Sequence, residues 1–258
     1  MKVRLHSFYD TFRNHVPDCD EPFVDCYADS FCAKSGTERN AVAILIEPRS
    51  IDRHGYEWIE QNPNQYKYVF THDSKLLNTL PNAKRILYGG VWSWSDEPKT
   101  KYCSMISSEK EMCELHKVRK RLAFMLQDKI DCFGTYNGGE RVDTYTSHAP
   151  YRYAVVIENY IDDYWFTEKI CNCFANKCIP IYYGAKKIDE FFNPNGIIHV
   201  NCEKGIYLAT EMFDGDNGIA EYEKRREAIE DNYKRVKEYE NFESWFFREY
   251  ESLLESLL

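Results

Sequence analysis

Short apolar runs alternate with helical patterns over the first hundred residues of this chain. Residues 41–46 are apolar throughout, which is typical of a buried strand, and residues 3–8 alternate in polarity. Residues 10–36 show no period and contain two prolines and three cysteines, so they predict an irregular segment. The order of the elements predicts a parallel sheet covered by helices. The predicted strands are 3–8, 41–46, 68–70 and 85–88, and the predicted helices are 56–61 and 74–80.

The same alternation returns after a linker. Gly89 and Gly90 begin a loop that leads into a polar run, so we place a domain boundary after residue 100. The first domain then covers residues 1–100 and the second covers residues 101–240. Residues 241–258 predict an amphipathic terminal helix, which either packs back on the first domain or closes the second domain as a surface helix. The predicted strands are 102–106, 130–133, 152–157, 179–183 and 197–200, and the predicted helices are 109–127, 168–177, 188–192 and 220–240.

A polar cluster stands at the carboxyl end of one buried strand of the second domain. Glu158 and Asn159 end that strand. Thr167 has the position of a helix N-cap, with Glu168 and Lys169 in the first turn. In open α/β sheets ligands bind at this edge, where helix N-terminal amides and a lysine favour a phosphate and a carboxylate can accept hydrogen bonds from a ribose diol. The cluster therefore predicts a nucleotide site; the alternative is an ordinary capped helix with a solvated Glu–Lys pair.

The segment around this cluster also carries a resemblance to a known family. Its fixed positions are Glu158-Asn159, Thr167-Glu168-Lys169, Ile179-Pro180-Ile181 and Gly184. In type and spacing they resemble the signature of the alpha-1,3/4-fucosyltransferases, glycosyltransferase family 10. One position departs from that signature, because Trp165 stands where the family usually has a tyrosine. This side chain keeps an aromatic face but lacks the phenolic hydroxyl.

The resemblance implies a fold and a reaction. The family has the GT-B fold, so we expect an α/β protein with two Rossmann-like domains facing a cleft, followed by C-terminal helices. The implied activity is that of an inverting glycosyltransferase that moves fucose from GDP-fucose to a glycan hydroxyl. The expected partners are a GDP-sugar donor and a glycan acceptor. Two alternatives stay open: a transferase for a different GDP-sugar, and a non-catalytic protein that binds a nucleotide sugar or a glycan.

The resemblance further implies which residues bind the donor. Arg119 and Lys169 are expected at the diphosphate, where the planar fork of a guanidinium suits phosphate oxygens. Glu168 is expected at the ribose. The remaining donor-binding residues are Glu158 and Asn159 beside the sugar, with Trp165 and Thr167 in the same pocket. Read without the resemblance, Arg119 is a solvated charge on a helix, and Arg152 is a weaker basic candidate.

Glu47 is the candidate catalytic base. It follows the buried strand at residues 41–46, and carboxyl ends of parallel strands are where ligands bind. Its turn, an acidic residue followed by proline, resembles the turn that carries the family's base. The alternatives are that Asp73 is the base, or that Glu47 is structural and forms a salt bridge with Arg49.

We expect no cofactor and no essential metal. Cationic side chains stand where a metal-dependent glycosyltransferase uses a bound cation. The motif at residues 214–216, Asp-Gly-Asp, resembles the metal-binding DxD of another glycosyltransferase architecture, but this residue order also forms a turn, which is the interpretation that we favour. His72, His148 and His199 are isolated and lack the spacing of metal ligands.

Charge and composition narrow the remaining classes. The 258 residues carry a formal net charge of −9, which argues against nucleic-acid binding. No apolar run approaches the ~20 residues of a membrane helix, and the first residues lack the apolar core of a signal peptide. We therefore expect a soluble, cytoplasmic short form of the family without a transmembrane segment, of unknown oligomeric state. The ten cysteines form no C-x-x-C pair, so we expect buried, reduced thiols, with Cys19, Cys26 and Cys32 as candidates for an exception.

Overall fold

The protein divides into two compact units. A computed structural model describes residues 2–7, 12, 22–34 and 40–258. The first unit joins residues 1–88 to residues 241–258, and the second unit covers residues 89–240. The chain therefore passes from one unit to the other between Tyr88 and Gly89, upstream of the boundary at residue 100 that the sequence predicts. The C-terminal segment belongs to the first unit.

The first unit contains a five-stranded parallel sheet. Its strands lie side by side in chain order, so the strand order does not reverse among the described residues. The core consists of side chains from the sheet and its helices, among them Leu45, Tyr56, Ile59, Val69 and Leu76. The strands are β1 (Val3–His6), β2 (Val24–Ala28), β3 (Val42–Leu45), β4 (Val69–Thr71) and β5 (Ala83–Arg85), and the helices are α1 (Arg53–Gln61) and α2 (Ser74–Thr79).

The prediction that residues 10–36 are irregular is wrong in its second half. There β2 is followed by a 3₁₀ helix at Asp29–Lys34. All five residues of β2 are buried, although one of them is Asp25. The Asp25 carboxylate pairs with Arg4 at 2.7 Å and with His6 at 2.8 Å, both on the neighbouring β1. The strand could not be recognised from the sequence because Asp25 places a charge in a short apolar run, and the residues that pair with it lie about twenty positions away. Cys19 lies outside the described residues.

The second unit contains another five-stranded parallel sheet, in the order β7-β6-β8-β9-β10. This order reverses between β6 and β8, as in doubly wound α/β folds that bind ligands at the reversal. The strands are β6 (Lys101–Ile106), β7 (Asp131–Phe133), β8 (Tyr151–Ile157), β9 (Ile179–Tyr183) and β10 (Ile198–His199). The helices are α3 (Glu114–Leu126), α4 (Thr144–His148), α5 (Glu168–Ala175), α6 (Glu203–Met212), α7 (Gly215–Lys224) and α8 (Arg226–Arg235). The α/β class with two parallel sheets is confirmed.

Two sequence predictions for this unit need correction. The single helix expected over residues 220–240 is divided at Arg225 into α7 and α8, and a 3₁₀ turn follows at Val236–Tyr239. The helix expected at residues 188–192 is a short 3₁₀ helix, Ile188–Glu190. In both places the charged or mixed sequence is compatible with a longer helix, and packing determines where the helix begins and ends.

The C-terminal helix α9 (Phe242–Glu255) packs within the first unit. Asn241 caps it, since the Asn241 side chain accepts a hydrogen bond from the Ser244 amide at 2.9 Å. Phe246 meets Phe70 of β4 edge to face, with ring centroids 4.9 Å apart. Such aromatic contacts contribute beyond the area that they bury, so α9 completes the core of this unit. Among the described residues, no helix combines the length and the apolar character needed to cross a membrane.

Helix α5 is held at its C-terminal end by a lysine. The Lys99 ammonium donates to the Ala149 carbonyl at 2.5 Å and also to the Asn176 carbonyl. These two residues are the C-caps of α4 and α5, where a positive charge is favourable because helix carbonyls are unpaired. In addition, the Trp92 amide donates to the Asn172 side chain at 2.8 Å. The segment after Gly89 thus lies along α5 and fixes its position.

Gly184, directly after β9, is required by its neighbours. A Cβ atom there would lie 2.2 Å from the Tyr182 hydroxyl and 2.7 Å from the Glu158 Cγ, and both of those side chains are fully buried. The Tyr182 hydroxyl accepts the Ala185 amide at 2.9 Å, so the ring is not free to withdraw.

We therefore expect Gly184→Ala to lower the free energy of unfolding by roughly 1–3 kcal/mol, the usual cost of overpacking. Gly90→Ala is the matched control, because its Cβ would meet the Glu168 Cβ at an ordinary 3.5 Å. The measurement is urea unfolding followed by circular dichroism. Equal stability of the two variants would show that the packing around Gly184 is looser than the structure indicates.

Candidate functional site

The candidate site lies where the strand order of the second sheet reverses. Ser107 directly follows β6, and Glu158 and Asn159 directly follow β8, which is the neighbouring strand. The carboxyl ends of two parallel strands on either side of such a reversal leave a crevice between them. The structure therefore brings the polar residues expected from the sequence to the edge of the sheet at which ligands bind.

Glu158 joins β8 to the start of α5. Its side chain has 0% exposure, and its amide donates to the Tyr183 carbonyl at 3.0 Å. Oε1 of Glu158 accepts the Thr167 amide at 3.0 Å, and Oε2 accepts the Thr167 hydroxyl at 2.8 Å. Both carboxylate oxygens are thus used within the protein. The sequence places Glu158 beside the donor sugar, whereas the structure points to a positioning role for it.

Thr167 is the N-cap of α5, as expected. Its hydroxyl donates to Glu158 and accepts from the Lys169 amide at 3.4 Å and from the Lys169 ammonium at 3.0 Å. A hydroxyl has one donor and two acceptor positions, so these contacts use all of its capacity. The first turn of the helix is therefore fixed to the end of β8 through a single side chain.

Lys169 and Glu168 form an ion pair in that first turn. The ammonium lies 3.1 Å from Glu168 Oε1 and 3.6 Å from Glu158 Oε2. Burial raises the pKa of the Glu158 carboxyl, and Lys169 only partly opposes that shift. Burial alone would also raise the pKa of Glu168, but the Lys169 ammonium outweighs it and holds that pKa below its usual range. Both Glu168 and Lys169 remain partly exposed, with about a fifth to a quarter of each side chain accessible, so they form the open part of the cluster.

Asn159 contacts three side chains at the start of α3 and within it. Its Oδ1 accepts from Arg119 Nη2 at 2.6 Å and lies 3.1 Å from His116 Nε2. Its backbone carbonyl accepts from the Cys113 thiol at 3.4 Å. Because an amide oxygen only accepts, His116 carries its proton on Nε2. Arg119 is therefore directed towards the end of β8 and is not a solvated helix charge.

The electrostatics of Arg119 couple it to the α5 cluster. Burial lowers the pKa of the Arg119 guanidinium, and the carboxylates of Glu158 and Glu168 oppose that shift. Arg119 Nε is buried and has no hydrogen-bond partner among the residues that the structure describes. Native proteins rarely leave such a donor unpaired, and a bound anion is one way to satisfy a guanidinium. The arrangement concentrates two cations in a chain of net charge −9, which suits an anionic ligand.

Two residues of this site were missed by sequence reasoning. Burial and the nearby Arg119 lower the pKa of His116 to about 4, so its ring is neutral at physiological pH. Ser107 is buried at 1% exposure, and its hydroxyl has no partner within the described part of the chain. His116 lies three residues before Arg119 and hence on the same helix face, and Ser107 follows a strand. Those spacings are the signals that would have found them.

The structure does not bring every candidate to the open part of the site. Trp165 is buried with 3% exposure, so its ring belongs to the interior in this structure. Arg152 lies inside β8, where it donates to the Lys99 carbonyl at 3.2 Å. Asp214 caps α7 by accepting the Gly215 amide at 2.7 Å, which is the turn expected for the motif at 214–216. No group of three or more metal-ligating side chains occurs in the described ranges.

Glu47 lies in the first unit, after β3 at the carboxyl edge of that sheet, and is partly exposed. Arg49 donates to Asp73 at 2.6 Å and to Glu60 at 2.7 Å, so the pairing of Arg49 is with these two carboxylates. Burial raises the pKa of Asp73, but hydrogen bonds from Arg49 and the Leu76 amide outweigh it and hold that pKa below its usual range. Asp73 is thus a buried, ion-paired helix cap, which favours Glu47 as the candidate base.

The thiols of the described residues are all free. Cys26 and Cys32, two of the candidates for a disulfide, are buried. Burial raises the pKa of Cys26 above its usual range, so this thiol stays protonated. Thiol chemistry at these positions is therefore disfavoured, since the thiolate is the reactive form.

Comparisons with solved structures find the same fold. A structure of an alpha1,3-fucosyltransferase matches 91% of this chain and 81% of its own, with a TM-score of 0.55 and 12% identity. A structure of an alpha1,3-fucosyltransferase with GDP matches 98% of this chain and 90% of its own, with a TM-score of 0.60 and 13% identity. A structure of an alpha1,3-fucosyltransferase with GDP-fucose matches 90% of this chain and 78% of its own, with a TM-score of 0.54 and 13% identity. At such identities the likeness concerns the fold.

The family is shown by the sequence itself. A search of curated proteins finds no match to this chain. The family model described as glycosyltransferase family 10 (fucosyltransferase) C-term, in contrast, matches residues 96–224, which is half of the chain. That range contains the switch-point crevice and every polar residue described in it, from Ser107 to Lys169. The chain therefore belongs to glycosyltransferase family 10, the fucosyltransferases.

Proposed function

We propose that this glycosyltransferase transfers fucose from GDP-fucose to a glycan hydroxyl with inversion at the anomeric carbon. The observation that carries the proposal is the pair of partly buried cations, Arg119 and Lys169, held at the switch point within the segment that matches the family. Structures titled with GDP and with GDP-fucose share the fold of this chain, which supports the choice of donor.

The donor diphosphate is assigned to Arg119, Lys169 and the first amides of α5. When the bond between the anomeric carbon and the β-phosphate oxygen breaks, negative charge develops on GDP. Fixed positive charges and helix amides stabilise that charge without reorganising, which is the usual source of electrostatic catalysis. Glu168, partly exposed beside Lys169, is assigned to the ribose hydroxyls. Glu158 and Thr167 hold these groups in place.

Glu47 is assigned as the general base. The acceptor hydroxyl attacks the anomeric carbon and its proton passes to the carboxylate, so the reaction is a single displacement that inverts the configuration. No resident metal or cofactor is required by this scheme, because cationic side chains neutralise the leaving group. A different GDP-sugar as donor is the closest alternative, and a non-catalytic binding protein is the alternative of another class, which needs no base.

Arg119→Ala is expected to weaken GDP binding about 10–100-fold, because it removes a charge-assisted hydrogen bond to phosphate. Arg121→Ala is the matched control on the same helix, since Arg121 is half exposed and pairs with Glu203. The measurement is titration calorimetry with GDP, and with UDP as the second nucleotide. GDP should also raise the melting temperature of the wild type, since it binds only the native state. Equal affinity of both variants for GDP, or equal stabilisation by UDP, would remove the donor assignment.

Glu47→Gln is expected to lower turnover about 10²–10⁴-fold while GDP affinity stays unchanged, because the change keeps the shape and removes the proton acceptor. The assay follows GDP release from GDP-fucose with a panel of glycan acceptors, with and without EDTA. Glu57→Gln is the control, since Glu57 is an exposed partner of Arg53 on α1. A wild-type rate for Glu47→Gln would show that the base lies elsewhere, and complete loss of activity in EDTA would contradict the metal-free scheme.

A further inference from the structure

A buried carboxylate holds the backbone on which Glu47 stands. Asp29 begins the 3₁₀ helix after β2 and is only 6% exposed. Its Oδ1 accepts the Ile46 amide at 2.7 Å and the Glu47 amide at 3.0 Å. These are the first two peptide amides beyond the carboxyl end of β3. One side-chain oxygen thus replaces the ladder partners that the strand loses at its end.

The environment of the other oxygen of Asp29 shows that burying this carboxylate is unfavourable for the free energy of folding. Oδ2 is buried and has no hydrogen-bond partner among the described residues. Burial raises the pKa of Asp29 to about 7, the two amides oppose that shift, and the carboxylates of Asp52 and Glu47 add to it. The buried thiols of Cys26 and Cys32 also face this group, and neither supplies a positive charge. A buried carboxyl without a cation destabilises the fold, so stability alone does not explain its presence.

The backbone of Asp29 is constrained as well. Its φ is 52°, in the left-handed region that asparagine, aspartate and glycine tolerate best. Gly55 of α1 approaches so closely that a Cβ there would lie 2.7 Å from the Asp29 carbonyl oxygen. The carboxylate is therefore aimed by the packing of two elements, and it has little freedom to move away from the two amides.

A second restraint acts on the other side of the Glu47 peptide. The Tyr56 hydroxyl donates to the Glu47 carbonyl at 2.7 Å and lies 3.0 Å from His72 Nε2. Because the tyrosine proton is used by the carbonyl, the His72 ring donates to the tyrosine oxygen. Burial lowers the pKa of His72 to about 3, so this ring is neutral. Both polar groups of the Glu47 backbone are thus fixed by side chains, while the Glu47 carboxylate remains partly exposed.

We propose that Asp29 is a positioning residue for Glu47: by accepting the Ile46 and Glu47 amides, it sets the direction in which the Glu47 carboxylate points. The inference rests on the proposed role of Glu47 as general base. Asp29 itself is too buried to meet a substrate. A base that is displaced by about an ångström loses much of its rate advantage, so a residue that fixes its backbone affects turnover rather than donor affinity.

The test uses two substitutions that both accept a positive φ. Asp29→Gly removes the acceptor, and we expect turnover to fall about 10–100-fold with unchanged GDP affinity. Asp29→Asn retains an oxygen in the place of Oδ1, and we expect turnover within about three-fold of the wild type. Turnover is GDP release from GDP-fucose, measured in the full chain with the acceptor selected from the glycan panel and with water alone.

The decisive comparison is made in the Glu47→Gln background. If Asp29 acts through Glu47, Asp29→Gly should change the residual rate of Glu47→Gln by less than about two-fold, because groups that act as a unit are not additive. Asp25→Asn is the control for general damage to β2, since Asp25 is a buried carboxylate paired with Arg4 and His6. This control should lower stability and leave turnover unchanged.

The outcomes separate this proposal from the one on which it rests. A slow Glu47→Gln with a wild-type rate for Asp29→Gly, or an equal loss from Asp29→Gly in both backgrounds, would overturn the role of Asp29 and leave Glu47 as the base. A wild-type rate for Glu47→Gln would overturn both. If Asp29→Gly does not fold, Asp29→Ser replaces it, because the serine side chain is one bond shorter and holds its oxygen farther from the two amides. An intermediate loss that disappears in the Glu47→Gln background then supports the proposal, and a loss that persists there overturns it.

Discussion

The hydrogen bonds between Glu158 and Thr167 connect the sheet of the second unit to the helix that faces its ligand edge. The carboxylate emerges from the end of β8 and accepts both the amide and the hydroxyl of the residue that caps α5. This connection adds side-chain hydrogen bonds to the packing of α5 on the sheet, and it fixes the first turn of the helix, which carries Glu168 and Lys169. The cost is a fully buried carboxyl, which Lys169 at 3.6 Å only partly compensates. Gly184 makes room for it, because any larger residue would collide with Glu158 and Tyr182.

The same device occurs in the first unit. Asp29 and Glu158 each lie near the carboxyl end of a parallel strand, and each is buried. Asp29 accepts two backbone amides, and Glu158 accepts one backbone amide and one hydroxyl. Strand ends and helix starts leave amides without regular partners, and a carboxylate can accept hydrogen bonds from them. In both units this solution places a partly exposed functional candidate beside the buried acid: Glu47 next to Asp29, and Lys169 next to Glu158. Rigid support for a polar group is what an active site requires, because catalytic electrostatics depend on preorganisation.

Local charge, and not the total, decides what this protein can bind. The chain is acidic, with a net charge of −9, yet Arg119 and Lys169 stand at the switch point of the second sheet. Asn159 directs Arg119 there with a 2.6 Å hydrogen bond, and His116 shares the same amide oxygen. Because the His116 ring is neutral at physiological pH, it adds no positive charge to that of the arginine and the lysine.

The sequence by itself determined the α/β class, the family signature and the cluster around Thr167, because strands, N-caps and fixed motif spacings are local properties. It missed β2, since the charge of Asp25 is compensated by Arg4 and His6 on another strand. The sequence also could not show that the carboxylates of Glu158 and Asp29 accept hydrogen bonds from within the protein. A carboxylate looks the same in a sequence whether it meets a ligand or a peptide amide, and only burial and neighbours from distant segments distinguish the two. Only the tertiary structure shows which donors surround each buried carboxylate, and those donors determine the cost of burying its charge.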